Sequence, residues 1–154
     1  GIYFDNLLVT NQVSGAFTAE VAWLLGPVMI FALSITVFLG IRAYRAGADT
    51  KHLFVATFLT ATLDLIVFNK VGSPQFELWL AVPLMAGILF ELPNWRLPVA
   101  LGLSIALLTN LLYPIFYMDL MVLGWLGITI LTLRNALLVA LLVWANMRLS
   151  KLAN

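Results

Sequence analysis

Residues 21–41 run for a full membrane-spanning length without one charged side chain, and this constrains the chain more than any other feature. A helix needs about 20 mostly apolar residues to cross the hydrocarbon core of a bilayer. Further runs of that kind occupy about residues 52–68, 76–92 and 97–113, separated by polar or turn-rich breaks. A last apolar stretch, 117–147, is interrupted only by Asp119 and Arg134. Of the 154 residues 63% are hydrophobic and 10% charged, against about 45–50% and about 25% in soluble domains. That balance excludes a disordered chain and a soluble cytosolic enzyme, and the lack of cysteine excludes a disulfide scaffold. A net charge of +1 without a basic run argues against nucleic acid as a partner. Membrane lipid is the expected surrounding.

The expected fold class is all-α, a polytopic helical membrane bundle. The positive-inside rule, which places Lys and Arg on the cytoplasmic side, chooses between five spans and six. With five spans and the N-terminus outside, Arg42, Arg45, Lys51, Arg96, Arg148 and Lys151 face the cytoplasm, leaving Lys70 and Arg134 toward the outer side. A sixth span would place Arg148 and Lys151 outside. Residues 1–20 are then an outer interfacial segment and 21–148 the bundle, with spans at about 21–41, 52–68, 76–92, 97–113 and 128–148. Residues 114–127 form an outer connection, and 149–154 a cytoplasmic tail. Pro27 and Pro83 fall inside spans and are expected to kink them. Residues 1–20 hold no signal-peptide pattern, and with Gly1 rather than Met in first position the chain reads as a fragment or a processed product.

A charge deep in a membrane helix costs about 2.5–3.5 kcal/mol on insertion scales, so such residues are site candidates. Asp64, Glu77 and Arg134 qualify, and Lys70 lies beside them in the outer loop. Thr57, Thr60 and Asp64 continue one polar stripe. Two readings stand: a pocket where Lys70 and Arg134 hold an anion such as phosphate, or a structural Asp64–Arg134 pair that glues two helices. Asn110 and Asn135 are expected to hydrogen-bond between helices. His52, without a second His or Cys to complete a metal site, reads as a helix-end residue, and no metal is expected. Asp5, Glu20 and Asp119 are outer-side carboxylates, any of which could serve as a general base, although solvated loops are the simpler account.

The run Phe68-Asn-Lys-Val-Gly-Ser-Pro-Gln-Phe76, followed by Trp79 and Pro83, resembles the F-N-K-V-x-S-P-Q-Y-x-x-W-x-x-P pattern. That pattern lies near the C-terminal end of GT-C type membrane mannosyltransferases that use polyprenyl-phosphate sugars. Leu112-Tyr-Pro-Ile-Phe-Tyr117 and Leu133-Arg-Asn-Ala-Leu137 are similar to two further stretches of the same family, in the same order. Phe76 replaces the usual Tyr. The resemblance covers about residues 60–150. It implies inverting sugar transfer, with mannose expected, from a polyprenyl-phosphate donor at the outer face of a bacterial plasma membrane. Apart from that lipid-linked donor no cofactor is implied. Lys70 and Arg134 would hold the leaving phosphate and Gln75 would bond phosphate or sugar, with Asp64 and Glu77 beside them. The family's catalytic carboxylate belongs to an early outer loop, and residues 1–20 do not match it. The resemblance therefore implies the C-terminal portion of a glycosyltransferase whose N-terminal part supplies the base, with Asp5 the weak substitute. The alternative is a small oligomeric transporter subunit or assembly partner with Asp64 as its ion or proton site.

Overall fold

A computed structural model describes residues 2–5, 10–13, 15–70 and 72–154. Backbone amides in lipid have no water to bond, so each crossing segment must satisfy its own. The chain does so with helices Thr18–Arg45 (α1), Thr50–Val67 (α2), Ala81–Leu89 (α3), Arg96–Asn110 (α4), Tyr117–Met121 (α5) and Trp125–Leu152 (α6). A tighter 3₁₀ helix, Pro74–Leu80, leads into α3, and Leu111–Ile115 continues from α4 through a kink at Tyr113, whose φ of −119 and ψ of 107 are not helical. At the N-terminus Ile2–Asp5 (β1) pairs antiparallel with Thr10–Val13 (β2). The interfacial segment expected over 1–20 thus contains a short hairpin and the first turn of α1.

Among the described residues four helices are long and apolar enough to cross a membrane: α1, α2, Arg96–Ile115 and α6. The protein is an integral, multi-pass helical membrane protein. The segment Pro74–Leu89 is shorter, but its 3₁₀ part rises about 2.0 Å per residue against about 1.5 Å in an α-helix, so it reaches about 27 Å. That matches the length of the 18-residue α2, again about 27 Å. Where sequence analysis extends this span to 92, the helix stops at Leu89. Glu91 turns left-handed at φ 53, and the Leu92 N–H closes the end on the Gly87 carbonyl at 3.0 Å.

Pro27 and Pro83 occupy different places in their helices. Helix α1 runs through Pro27 as one element. Pro83 lies in the first turn of α3, just where 3₁₀ winding gives way to α, a position at which a missing N–H is tolerated. Among the described residues Asn110 and Asn135 do not make the expected bonds between helices. Asn110 donates to the Ala106 carbonyl one turn back, and Asn135 accepts from its neighbour Arg134. An i−4 carbonyl is always within reach of a short polar side chain on a helix, and it takes the bond first.

Lipid tails are as apolar as leucine, so helices in a membrane associate through close packing and hydrogen bonds rather than hydrophobic drive. Helix α6 is the centre of this packing. Its buried stripe is Gly127, Arg134, Leu138, Leu141, Ala145 and Leu149, spaced by three, four or seven. Val55, Leu59 and Leu63 of α2 and Ile105 of α4 complete the core around it. Helix α1 meets α2 through small residues, Thr36, Gly40 and Ala43, and a Cβ on Gly40 would touch the Thr57 hydroxyl at 3.4 Å. Close approach of backbones at small residues is the usual way membrane helices gain contact.

Chain direction brings the cations to one end. Arg42 donates to Asn154 at 2.9 Å, Arg148 donates to the Pro93 carbonyl at 3.3 Å, and Lys51 lies 5.6 Å from the Phe90 ring centre. His52 has the helix-end place expected of it. Asp49 caps α2 by accepting the His52 N–H at 3.1 Å, while its carboxylate sits 2.7 Å from the His52 ring. The bond from that side chain holds the Asp49 carboxyl below the usual carboxylate range. At the opposite end Asp119 is no free base. Its carboxylate accepts the Gly127 N–H at 2.7 Å and caps α6.

Near the basic end Trp95 is wedged against α3. Its indole N–H donates to the Leu84 carbonyl at 2.9 Å, and the ring fills the space over Gly87, where a Cβ would fall 1.9 Å from it. Gly87→Ala should therefore displace the indole and destabilise the fold by about 1–3 kcal/mol, the range for overpacking. Gly26→Ala, with nothing within 4 Å, should leave stability nearly unchanged. Unfolding in detergent micelles followed by tryptophan fluorescence separates the two.

Candidate functional site

The 3₁₀ helix decides which of its residues look inward. With three residues per turn, positions 74, 77 and 80 fall on one line and 75 and 78 on another. Glu77 and Leu80 are accordingly buried, while Gln75 and Leu78 are exposed. Arg134 is in phase with the leucine stripe of α6, so it too points into the bundle. The two side chains meet there. Arg134 Nε lies 3.2 Å from Glu77 Oε1, each side chain only 6% exposed.

The pair is charge-matched but under-bonded. The single Nε hydrogen is directed at Asn135 Oδ1, 3.3 Å away, so the contact with Glu77 Oε1 is electrostatic rather than a directed bond. Thr109, near the end of α4, donates to the other carboxylate oxygen, Oε2. Two atoms of the pair, Arg134 Nη1, a donor, and Glu77 Oε1, an acceptor, are buried without a hydrogen-bond partner among the described residues, as is the Thr57 hydroxyl on the α1–α2 side. A buried polar group left open costs about 1–3 kcal/mol.

The other candidates occupy different places. The expected Asp64–Arg134 pair is not formed. Asp64 is 2% exposed, and its Oδ2 accepts from the Thr36 hydroxyl at 2.6 Å. It therefore joins α2 to α1, because its stripe faces the small-residue side of α1 and not α6. Lys70 is exposed and borders a groove against Ala19, Trp23 and Gly26 of α1. Two residues further along the same loop, Gly72 comes up to Arg134, where a Cβ would lie 4.0 Å from Nη2. Gln75 is exposed beside the buried Glu77. The Asp5 backbone ends β1, and its side chain lies outside the described residues. Glu20 is exposed in the first turn of α1.

Tyr113 completes the surroundings. It is half-buried, close enough to feel the charges of both Arg134 and Glu77, and packed on Tyr117 with ring centres 5.4 Å apart. Sequence reasoning missed Thr109 and Thr36, the hydroxyls that serve the two buried carboxylates. Their in-span position was visible, but threonine is common in membrane helices and usually bonds its own i−4 carbonyl, as Thr60, Thr129 and Thr132 do here and as Thr109, 2.8 Å from the Ile105 carbonyl, does too.

Comparison with protein-family models, with curated proteins and with solved structures gives no match to this chain. The site is therefore read from its own geometry.

Removing one member of a buried ion pair leaves the other charge uncompensated and costs about 3–5 kcal/mol. Glu77→Gln and Arg134→Gln should each destabilise on that scale, and the double variant should cost less than their sum by about 1 kcal/mol or more. Asp64→Asn should be additive with Arg134→Gln. A double-mutant cycle of unfolding in detergent reads both couplings, and coupling of Arg134 to Asp64 instead would contradict the pairing.

Proposed function

We propose that the chain is the C-terminal membrane portion of a glycosyltransferase that takes a sugar, mannose by its resemblance, from a polyprenyl-phosphate donor. The observation that carries this reading is the open donor and open acceptor side by side, Arg134 Nη1 and Glu77 Oε1. A sugar phosphate has the complementary pair, a phosphate oxygen to accept from the guanidinium and a hydroxyl to donate to the carboxylate. Such bonds are strong in a dry site, and aimed at a leaving phosphate they lower the barrier to its departure.

The three stretches that carry the family resemblance converge on this pair, which supports the same reading. Gly72 belongs to the first, Tyr113 to the second and Arg134 to the third. The packed Tyr113–Tyr117 rings offer an apolar face of the kind sugars lie against. Lys70 and Gln75, exposed on the approach, are assigned to the outer part of the phosphate group. The general base that takes the acceptor's proton is assigned to an outer loop beyond these residues, where the resembling family carries its catalytic carboxylate. The basic end is assigned to the cytoplasm by the positive-inside rule, which places the Arg134 pair toward the outer face.

In membranes carrying the full-length protein and supplied with polyprenyl-phosphate mannose, Arg134→Gln should lower mannose transfer by about 10²-fold, the loss that follows removal of one transition-state donor. Lys70→Ala, at an exposed position, should lower it less without changing the amount of protein in the membrane, and transfer by Arg134→Gln is compared per amount of folded protein because that variant is also less stable. Wild-type transfer by Arg134→Gln would overturn the proposal.

A further inference from the structure

At the basic end, away from the Arg134 pair, a groove of about 840 Å³ opens between the end of α3 and the start of α4. Its inner wall is aromatic. Trp95 is buried and held by its bond to the Leu84 carbonyl, and Trp144 of α6 meets it edge-on with ring centres 5.4 Å apart. Its flanks are Ile88 and Leu97, which are 54% and 53% exposed and so face lipid in a membrane. Its polar rim carries one carboxylate, Glu91, and one guanidinium, Arg96, both exposed. No ion pair joins the two among the described residues. The cations nearby have other contacts: Arg148 donates to the Pro93 carbonyl and Lys51 lies over Phe90.

We propose that this groove binds a phospholipid with an ethanolamine headgroup. The apolar walls take an acyl chain, Arg96 takes the phosphate, and Glu91 takes the ammonium group. Charge complementarity argues for this occupant. A purely anionic headgroup would satisfy Arg96 but bring a second negative charge against Glu91. A choline headgroup has no N–H to donate to that carboxylate. The tryptophans fit the same level, since their rings prefer the interface between hydrocarbon and headgroups. The inference is independent of the proposed sugar transfer, which concerns the other end of the bundle.

The test uses the purified full chain in mixed micelles containing equal amounts of phosphatidylethanolamine, phosphatidylglycerol and phosphatidylcholine, with bound lipid read by native mass spectrometry. The ethanolamine lipid should be retained about tenfold over each of the others, the factor that one charge-assisted hydrogen bond supplies at about 1.4 kcal/mol. Glu91→Gln should abolish that preference, and Glu91→Asp should keep part of it. Arg96→Gln should lower retention of all three lipids, with Arg96→Lys restoring part of it. Both sites are exposed, so the variants should fold as the wild type does, and their tryptophan fluorescence checks this. Retention of phosphatidylglycerol at or above the ethanolamine lipid, or an unchanged preference in Glu91→Gln, would overturn the proposal.

Discussion

A guanidinium and a carboxylate taken out of water lose several kcal/mol of hydration each, and only each other's company makes their burial tolerable. In this protein that constraint joins Arg134 on the central helix to Glu77 on the short 3₁₀ helix Pro74–Leu80. The rest of the arrangement follows from holding the two at one level. The tighter 3₁₀ winding turns Glu77 and Leu80 inward together and stretches a short segment to about the length of its neighbours. Thr109 then brings α4 to the same place through its bond to the carboxylate. One ion pair thus fixes three segments that apolar contact alone would leave free to slide, because lipid competes equally for leucine.

The helical membrane class was legible from the apolar runs, and so was the inward face of Arg134. Its phase with Leu138, Leu141 and Leu149 can be counted along the sequence. The pairing was not legible. An α-helical reading of residues 76–92 says nothing of Glu77's facing, which depends on the local change to three residues per turn. Asp64 looked like the partner because it lies at a similar depth, but depth does not specify which neighbour a helix face meets. The meeting of α2 with α1 was written in Thr36, Gly40 and Ala43, a small-residue face whose partner helix no single sequence names. The wedge of Trp95 over Gly87 was hidden for the same reason, since it joins residues on either side of a tight turn.

The two ends of the bundle solve the problem of a helix end differently. At the basic end, exposed cations and a capped α2 leave charge in contact with headgroups and water, and packing around Trp95 supplies the rigidity. At the other end charge is taken inside and α6 is capped from a neighbouring turn by Asp119. Exposed charge is cheap to place and easily screened, whereas buried charge is costly and strong.

What distinguishes the Arg134 pair from simple structural glue is how incompletely it is bonded. A pair evolved only to hold helices together gains from every directed bond, and a short shift of Asn135 or the loop at Gly72 would supply one to the guanidinium. Instead the Nε hydrogen is spent on Asn135 while Nη1 and Glu77 Oε1 stay open. Two unsatisfied groups cost about 2–6 kcal/mol together in a dry site, taking about 1–3 kcal/mol for each. That is comparable with the whole stability margin of many domains. Arg134 Nη1 and Glu77 Oε1 thus keep bonding capacity that the described residues do not use.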